Sequence, residues 1–118
     1  MDDSRSGCPI ASTLDIVGDR WTLVVLRDLV MGKRRFSQFL KAPERIATNV
    51  LTDRLALMER EGLVTKVLYQ ERPKRYEYRL SQKGEALLPV IQAMARWGKR
   101  YVPGAWTPPQ EFFDRKAP

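Results

Sequence analysis

One mostly helical α+β domain is the fold class that three observations predict. Apolar residues recur at helical spacing from Ile10 to Met58. The period then changes to the alternation of strands between residues 63 and 80, and a last apolar stripe at helical spacing follows Ser81. The chain has 118 residues, enough for one compact core without disulfides or metals.

The elements follow in order. Ile10, Leu14, Val17 and Trp21 space a first helix from Cys8, and Gly18-Asp19 breaks it. Residues 21–31 form a second helix, apolar nearly all round, with Gly32 in the position after its end. After Lys33, Arg34 and Arg35, Ser37 is the expected N-cap of a short helix that holds Phe39 and Leu40, and Pro43 ends it. Residues 47–61 form a stronger helix with Leu51, Leu55 and Met58 on one face, closed by Gly62. LVTKVLY and YEYRL read as strands joined by six polar residues, 70–75, with Pro73 stiffening the turn. Ser81 caps a last long helix over 82–102, which Pro89 bends; Gly84 stands where a full capping box has Glu. The tail, 103–118, is expected to be irregular, and residues 1–7 a flexible lead without the apolar stretch of a signal peptide.

Composition closes most routes to an enzyme. Histidine is absent, which removes Ser-His and Cys-His pairs and His-ligated metals. Cys8 is the one cysteine, and the seven glycines form no phosphate-binding loop. No cofactor is expected, and no apolar run is long enough to span a bilayer, so a cytoplasmic protein is expected. The net charge is +7, and its placement is informative: residues 33–83 hold 13 Lys or Arg against 6 Asp or Glu, and the remainder balances. A basic middle between neutral ends suits either a polyanion partner or a solvated face.

Two short helices followed by a basic hairpin describe a winged helix-turn-helix, in which residues 36–61 form the helix-turn-helix and 63–80 the wing. Its second helix enters the major groove of double-stranded DNA, with its first turn nearest the bases. With Leu51, Leu55 and Met58 facing the core, Asn49, Thr52, Asp53, Ala56 and Arg60 project outward. Thr48, Asn49 and Thr52 suit base edges, since Asn pairs with adenine and Thr touches a thymine methyl; Arg54 suits guanine or phosphate. Arg72, Lys74 and Arg75 suit phosphates at the wing tip. Arg34 and Arg35 suit the flanking backbone, or are simply an exposed basic loop. The polar helix residues are otherwise ordinary solvated side chains.

CPIASTLDIVGDRWTLVVLRDL, RRFSQFL, LTDRLALMEREGLV and RPKRYEYRLSQKGEALLPVIQAMARW, in that order, resemble the HxlR-type regulators, a branch close to the MarR family. The resemblance covers Cys8 to Trp97. It implies a homodimer joined by the first and last helices, a palindromic operator, and repression as the commoner mode. The apolar stripe of the last helix, with Ile91, Met94, Trp97 and Tyr101, is rich enough to serve such an interface. Three departures stand out. Arg45 precedes the turn isoleucine where glycine is common; Ala47 holds the capping place, leaving Thr48 to cap; and Asp19 replaces a usual glycine.

Several HxlR-type regulators have a cysteine equivalent to Cys8 that senses oxidants or electrophiles. The resemblance implies the same here, helped by a helix start and a nearby Arg5; the alternative is an inert thiol retained for packing. A regulator answering a small-molecule effector, in a pocket lined by Trp21, Trp97 and Tyr101, is a further alternative, as is a module that binds protein or RNA.

Overall fold

The computed structural model describes residues 5–117, so the expected flexible lead falls partly outside the described residues. The helices are α1 (Pro9–Val17), α2 (Thr22–Val30), α3 (Phe36–Phe39) and α4 (Thr48–Arg60). The hairpin of β1 (Val64–Glu71) and β2 (Lys74–Leu80) follows, then α5 (Gln82–Glu85), α6 (Leu88–Tyr101) and α7 (Gln110–Asp114). The core gathers Val25, Leu26 and Leu29 of α2, Phe39 of α3, the Leu51, Leu55 and Met58 face of α4, and Leu88 and Ile91 of α6. Among the described residues no helix is long and apolar enough to cross a membrane.

Several local expectations are corrected. Ser37 does not cap α3. Arg35 is the N-cap residue, and the Gln38 side-chain oxygen accepts from the backbone N–H groups of Arg34 (2.7 Å) and Arg35 (2.9 Å), so the helix starts two residues earlier than a Ser37 cap would set it. The six-residue connection of the hairpin shrinks to Arg72-Pro73, because residues 70–71 pair with 74–75 across a bulge at Tyr69. The last helix is two helices. Ser81 does cap the first, accepting from Gly84 N–H at 3.0 Å. Pro89 then offers no N–H and its ring clashes with the preceding turn, so the chain restarts at Leu88 with Pro89 in the first turn.

Gly84 explains the incomplete capping box. A Cβ there would lie 2.1 Å from the Leu63 carbonyl oxygen, so no glutamate fits. Gly62 has φ 74°, the left-handed conformation that lets the chain leave α4 and enter β1.

The tail is also more ordered than expected. Phe112 is buried, and Gln92 of α6 donates from Nε2 to the carbonyls of Phe112 (2.9 Å) and Arg115 (2.8 Å). An aromatic anchor and a buried amide thus fold α7 onto α6 despite the surrounding prolines.

Candidate nucleic-acid interface

The α4 helix is held rigidly by its apolar face, since Leu51 and Met58 are fully buried and Leu55 nearly so. Thr48, Asn49, Thr52, Ala56 and Arg60 are exposed on the opposite side. Thr48 does not cap the helix. Ala47 is the extended N-cap residue, its carbonyl takes the first helical bond from Leu51 (2.9 Å), and no side chain caps the first turn. The leading N–H groups of α4 therefore point outward without a side-chain acceptor, the arrangement that suits an anion. Thr52 Oγ donates to the Thr48 carbonyl at 3.0 Å, which orients its methyl and hydroxyl.

The turn before α4 carries strain. Arg45 has φ 58°, a conformation that favours glycine and costs an arginine roughly 1 kcal/mol. Its side chain is exposed and pairs with no carboxylate among the described residues. The departure at this position signals it in the sequence, but not as a site residue. The turn is braced from α2: Arg27 grips Glu44 bidentately at 2.7 and 2.9 Å and also donates to the buried Asp28 at 2.9 Å. The Arg27 hydrogen bond holds the Glu44 carboxyl below its usual range, outweighing its partial burial.

The sequence-selected arginines divide. Arg54 pairs with its α4 neighbour Asp53 and reaches Asp19, at the start of α2, at 3.5 Å. Its charge is thus largely answered within the protein. Arg34 donates to the carbonyls of Leu29 (2.8 Å) and Lys33 (2.9 Å), capping the end of α2. The backbone of Arg34 and Arg35 lies along β2, with Tyr78 N–H donating to the Arg34 carbonyl at 2.7 Å and Arg35 bridging Glu77. The Arg35 guanidinium stacks on Tyr69 at 3.9 Å. These two residues therefore strap the wing to the helix-turn-helix, a role sequence periodicity does not reveal. At the tip, Arg72, Lys74 and Arg75 are exposed and pair with no carboxylate among the described residues.

Asp19 builds the start of α2. It accepts from the backbone N–H groups of Trp21 (2.9 Å) and Thr22 (3.0 Å) and from the Thr22 hydroxyl. Burial opposes its ionisation, but these bonds and Arg54 outweigh it and hold the carboxyl below its usual range.

Cys8 is exposed at the N-cap of α1. Arg5 does not attend it; that guanidinium turns to Asp15 at 2.9 Å and the Ala11 carbonyl at 3.2 Å. Ile10 and Leu14 of α1 and Val90, Met94, Trp97 and Tyr101 of α6 are exposed, Trp97 to 63%. A groove of about 570 Å³ joins the two helices, lined by Ile10, Leu14, Val90 and Met94 among others. Trp21, Trp97 and Tyr101 do not share a pocket. Trp21 lines a cleft with Asn49 and Arg54, while the Trp97 and Tyr101 rings lie 5.4 Å apart, tilted by 45°, on the outer face of α6.

Comparison with known proteins agrees with this geometry. A family model described as HxlR-like helix-turn-helix matches residues 16–105. The HTH-type transcriptional regulator YdeP of Bacillus subtilis (strain 168) is 39% identical over 99 residues, spanning 84% of this chain and 77% of that protein. The redox regulator HypR in its reduced form superposes with a TM-score of 0.74 at 31% identity, covering 84% of this chain and all of HypR. The reduced transcriptional regulator YodB from B. subtilis gives a TM-score of 0.68 at 28% identity, over 83% of this chain and 97% of YodB.

Proposed function

From a chain that belongs to the HxlR-like helix-turn-helix family, and is therefore a transcriptional regulator rather than an enzyme, we infer a homodimeric cytoplasmic repressor of a palindromic operator. Thr48, Asn49 and Thr52 read base edges in the major groove, while Arg72, Lys74 and Arg75 hold phosphates beside it. Arg34, Arg35 and Arg54 act mainly by fixing the wing and α4 in place. The observation that carries this reading is the combination on α4 of a fully buried face with an exposed, uncapped first turn. Dimerisation through α1 and α6 is supported by the apolar groove between them and by the exposed large apolar side chains Ile10, Leu14, Val90, Met94, Trp97 and Tyr101 clustered on those two helices.

The test is titration of the duplex upstream of the protein's own gene against a scrambled duplex, at several salt concentrations with reductant. A preference of roughly 10³-fold or more is expected. Equal weak binding to both duplexes would refute sequence-specific regulation. Sedimentation of the Trp97→Glu variant as a monomer, against a dimeric parent, checks the interface.

Redox control is supported by the exposure of Cys8 next to that apolar face and by similarity to HypR, described as a redox regulator. Transfer of an alkyl group from an electrophile to the Cys8 sulfur with loss of its proton, or joining of two Cys8 thiols across the dimer as a disulfide with two protons and two electrons passing to an added oxidant such as a peroxide, would alter the dimer and release the operator. Loss of the oxidant response in Cys8→Ser, with operator binding intact, is the expected result.

A further inference from the structure

A cleft of about 400 Å³ borders the first turns of α4, with Asn49, Asp53 and Arg54 on one side and Asp19, Arg20 and Trp21 from the start of α2 on the other. Most of its charges are already answered. Asp19 accepts from the backbone N–H groups of Trp21 and Thr22, and Arg54 reaches both Asp19 and Asp53. Arg20 is what remains. It is exposed, and among the described residues its side chain has no carboxylate, backbone carbonyl or aromatic ring as a partner. Two carboxylates against Arg54 alone would leave a negative charge beside Asn49, repelling the phosphates that a recognition helix has to approach; Arg20 cancels it.

The backbone at Arg20 is held although its side chain is free. The Asp19 carboxylate accepts from Trp21 at 2.9 Å and from Thr22 at 3.0 Å, which closes a turn around Arg20. Only the side-chain rotamers are left to order on contact. The place of this turn is also informative. At the far end of α2, Arg34 donates to the carbonyls of Leu29 and Lys33 and its own carbonyl holds β2 of the wing. The nine residues of α2 separate the two ends by roughly 13 Å. Arg20 also lines the groove between α1 and α6, with Ile10, Leu14 and Met94. It therefore stands where the groove offered to a second copy meets the α4 cleft, at the end of α2 away from the wing strap.

We propose that Arg20 is a phosphate-binding residue of the DNA interface, and that its phosphate lies on the inner side of each half-site, between the two recognition helices, while the wing tips hold the outer phosphates. The proposal rests on the reading of the chain as a homodimeric DNA-binding regulator, which supplies the duplex and its two-fold axis. Asp19 already occupies the N–H groups at the start of α2, so the guanidinium makes the contact and the helix end does not.

The test compares the full-length parent, Arg20→Gln and Arg20→Lys on the duplex upstream of the protein's own gene and on a scrambled duplex, over a series of salt concentrations. Each cation that leaves a phosphate removes about 0.9 from the slope of log affinity against log salt. Arg20→Gln is thus expected to lower the slope of a dimer by about two on both duplexes, which weakens binding by roughly 30-fold near 0.15 M salt. Arg20→Lys is expected to keep the parent slope. All three are expected to sediment as dimers with the same Tm, because no partner within the fold is lost. Phosphate ethylation interference on the upstream duplex is expected to lose its inner positions in Arg20→Gln and to keep its outer ones. An unchanged slope with the operator preference intact overturns the Arg20 assignment alone. Loss of the outer positions overturns its placement, and sedimentation of Arg20→Gln as a monomer assigns the residue to the contact between copies instead. Equal binding of both duplexes by the parent would refute the operator reading, yet the slope on the scrambled duplex would still decide Arg20, since phosphate contacts do not depend on sequence. Absence of binding to either duplex would overturn both.

Discussion

Replacing Asp19 by alanine tests how the start of α2 is held. The carboxylate accepts two backbone N–H groups and the hydroxyl of the fully buried Thr22, and it lies 3.5 Å from Arg54. Losing a capping side chain costs about 1 kcal/mol. The Arg54 pair is partly exposed, so solvent reduces it to a few tenths of a kcal/mol. A total of about 1 to 1.5 kcal/mol corresponds to a drop in Tm of roughly 3–8 °C for a domain of this size. The pH dependence has a definite sign. The folded-state pKa of Asp19 lies below its unfolded value of about 3.9, so the ionised group stabilises the fold above that pH. This part is lost as pH falls through the folded value. Urea unfolding of parent and Asp19→Ala should therefore differ by a constant amount from pH 5 to 7, and the gap should narrow below about pH 4 without closing, because a protonated carboxyl still accepts a hydrogen bond. Asp19→Asn keeps an oxygen acceptor and should cost much less. A cost in Asp19→Asn equal to that in Asp19→Ala, or a gap undiminished in acid, would show that α2 is not held in this way.

Asn49→Ala should weaken operator binding by about 1–3 kcal/mol and relax preference at one base-pair position, read by competition with single-site operator variants. Alanine at Arg72, Lys74 and Arg75 together should weaken specific and scrambled duplexes alike, and lower the slope of log affinity against log salt by roughly five for a dimer. Arg45→Gly should raise thermal stability, by up to about 1 kcal/mol, because glycine accepts φ 58° without strain. The same variant should lower the salt slope by about two for a dimer if its guanidinium meets phosphate; an unchanged slope would assign Arg45 no part in binding.

The legible parts of this fold were those set by local pattern. Leu51, Leu55 and Met58 recur at steps of four and three, and all three are buried at the centre of the core. The change from a helical to an alternating period marks the hairpin because the pleat itself has period two. What stayed hidden depends on partners distant in sequence. No local pattern says that Gln92 reaches Arg115, or that Arg54 finds Asp19 instead of solvent. The strap of Arg34 and Arg35 onto β2 is equally invisible, since one backbone bridge has no periodicity. The chemistry of the exposed α4 residues was legible. Which neighbouring arginines stay available was not, because availability is decided by folding.

That division bears on the whole electrostatic surface. The sequence places an excess of seven positive charges in residues 33–83, as though all could face a polyanion. Folding commits many of them elsewhere. Lys33 meets Asp28, Arg54 meets Asp19 and Asp53, Arg79 meets Glu77, Lys83 donates to the Glu61 carbonyl, and Arg34 closes α2. Arg35 and Lys66 lie over the rings of Tyr69 and Tyr76. Among the described residues of the segment, Lys41, Arg45, Arg60, Arg72, Lys74 and Arg75 are left exposed with no carboxylate, backbone carbonyl or aromatic ring as a side-chain partner. They lie in the helix-turn-helix and at the wing tip. Each cation that neutralises a phosphate releases counterions and adds about 0.9 to the salt slope. Six per protomer cap the slope of a dimer near −11, and the wing tips alone set it near −5. A measured slope between these limits fits binding by the turn and wing, whereas a steeper one would require cations now held by carboxylates, carbonyls or rings, or cations outside this segment, to turn to phosphate.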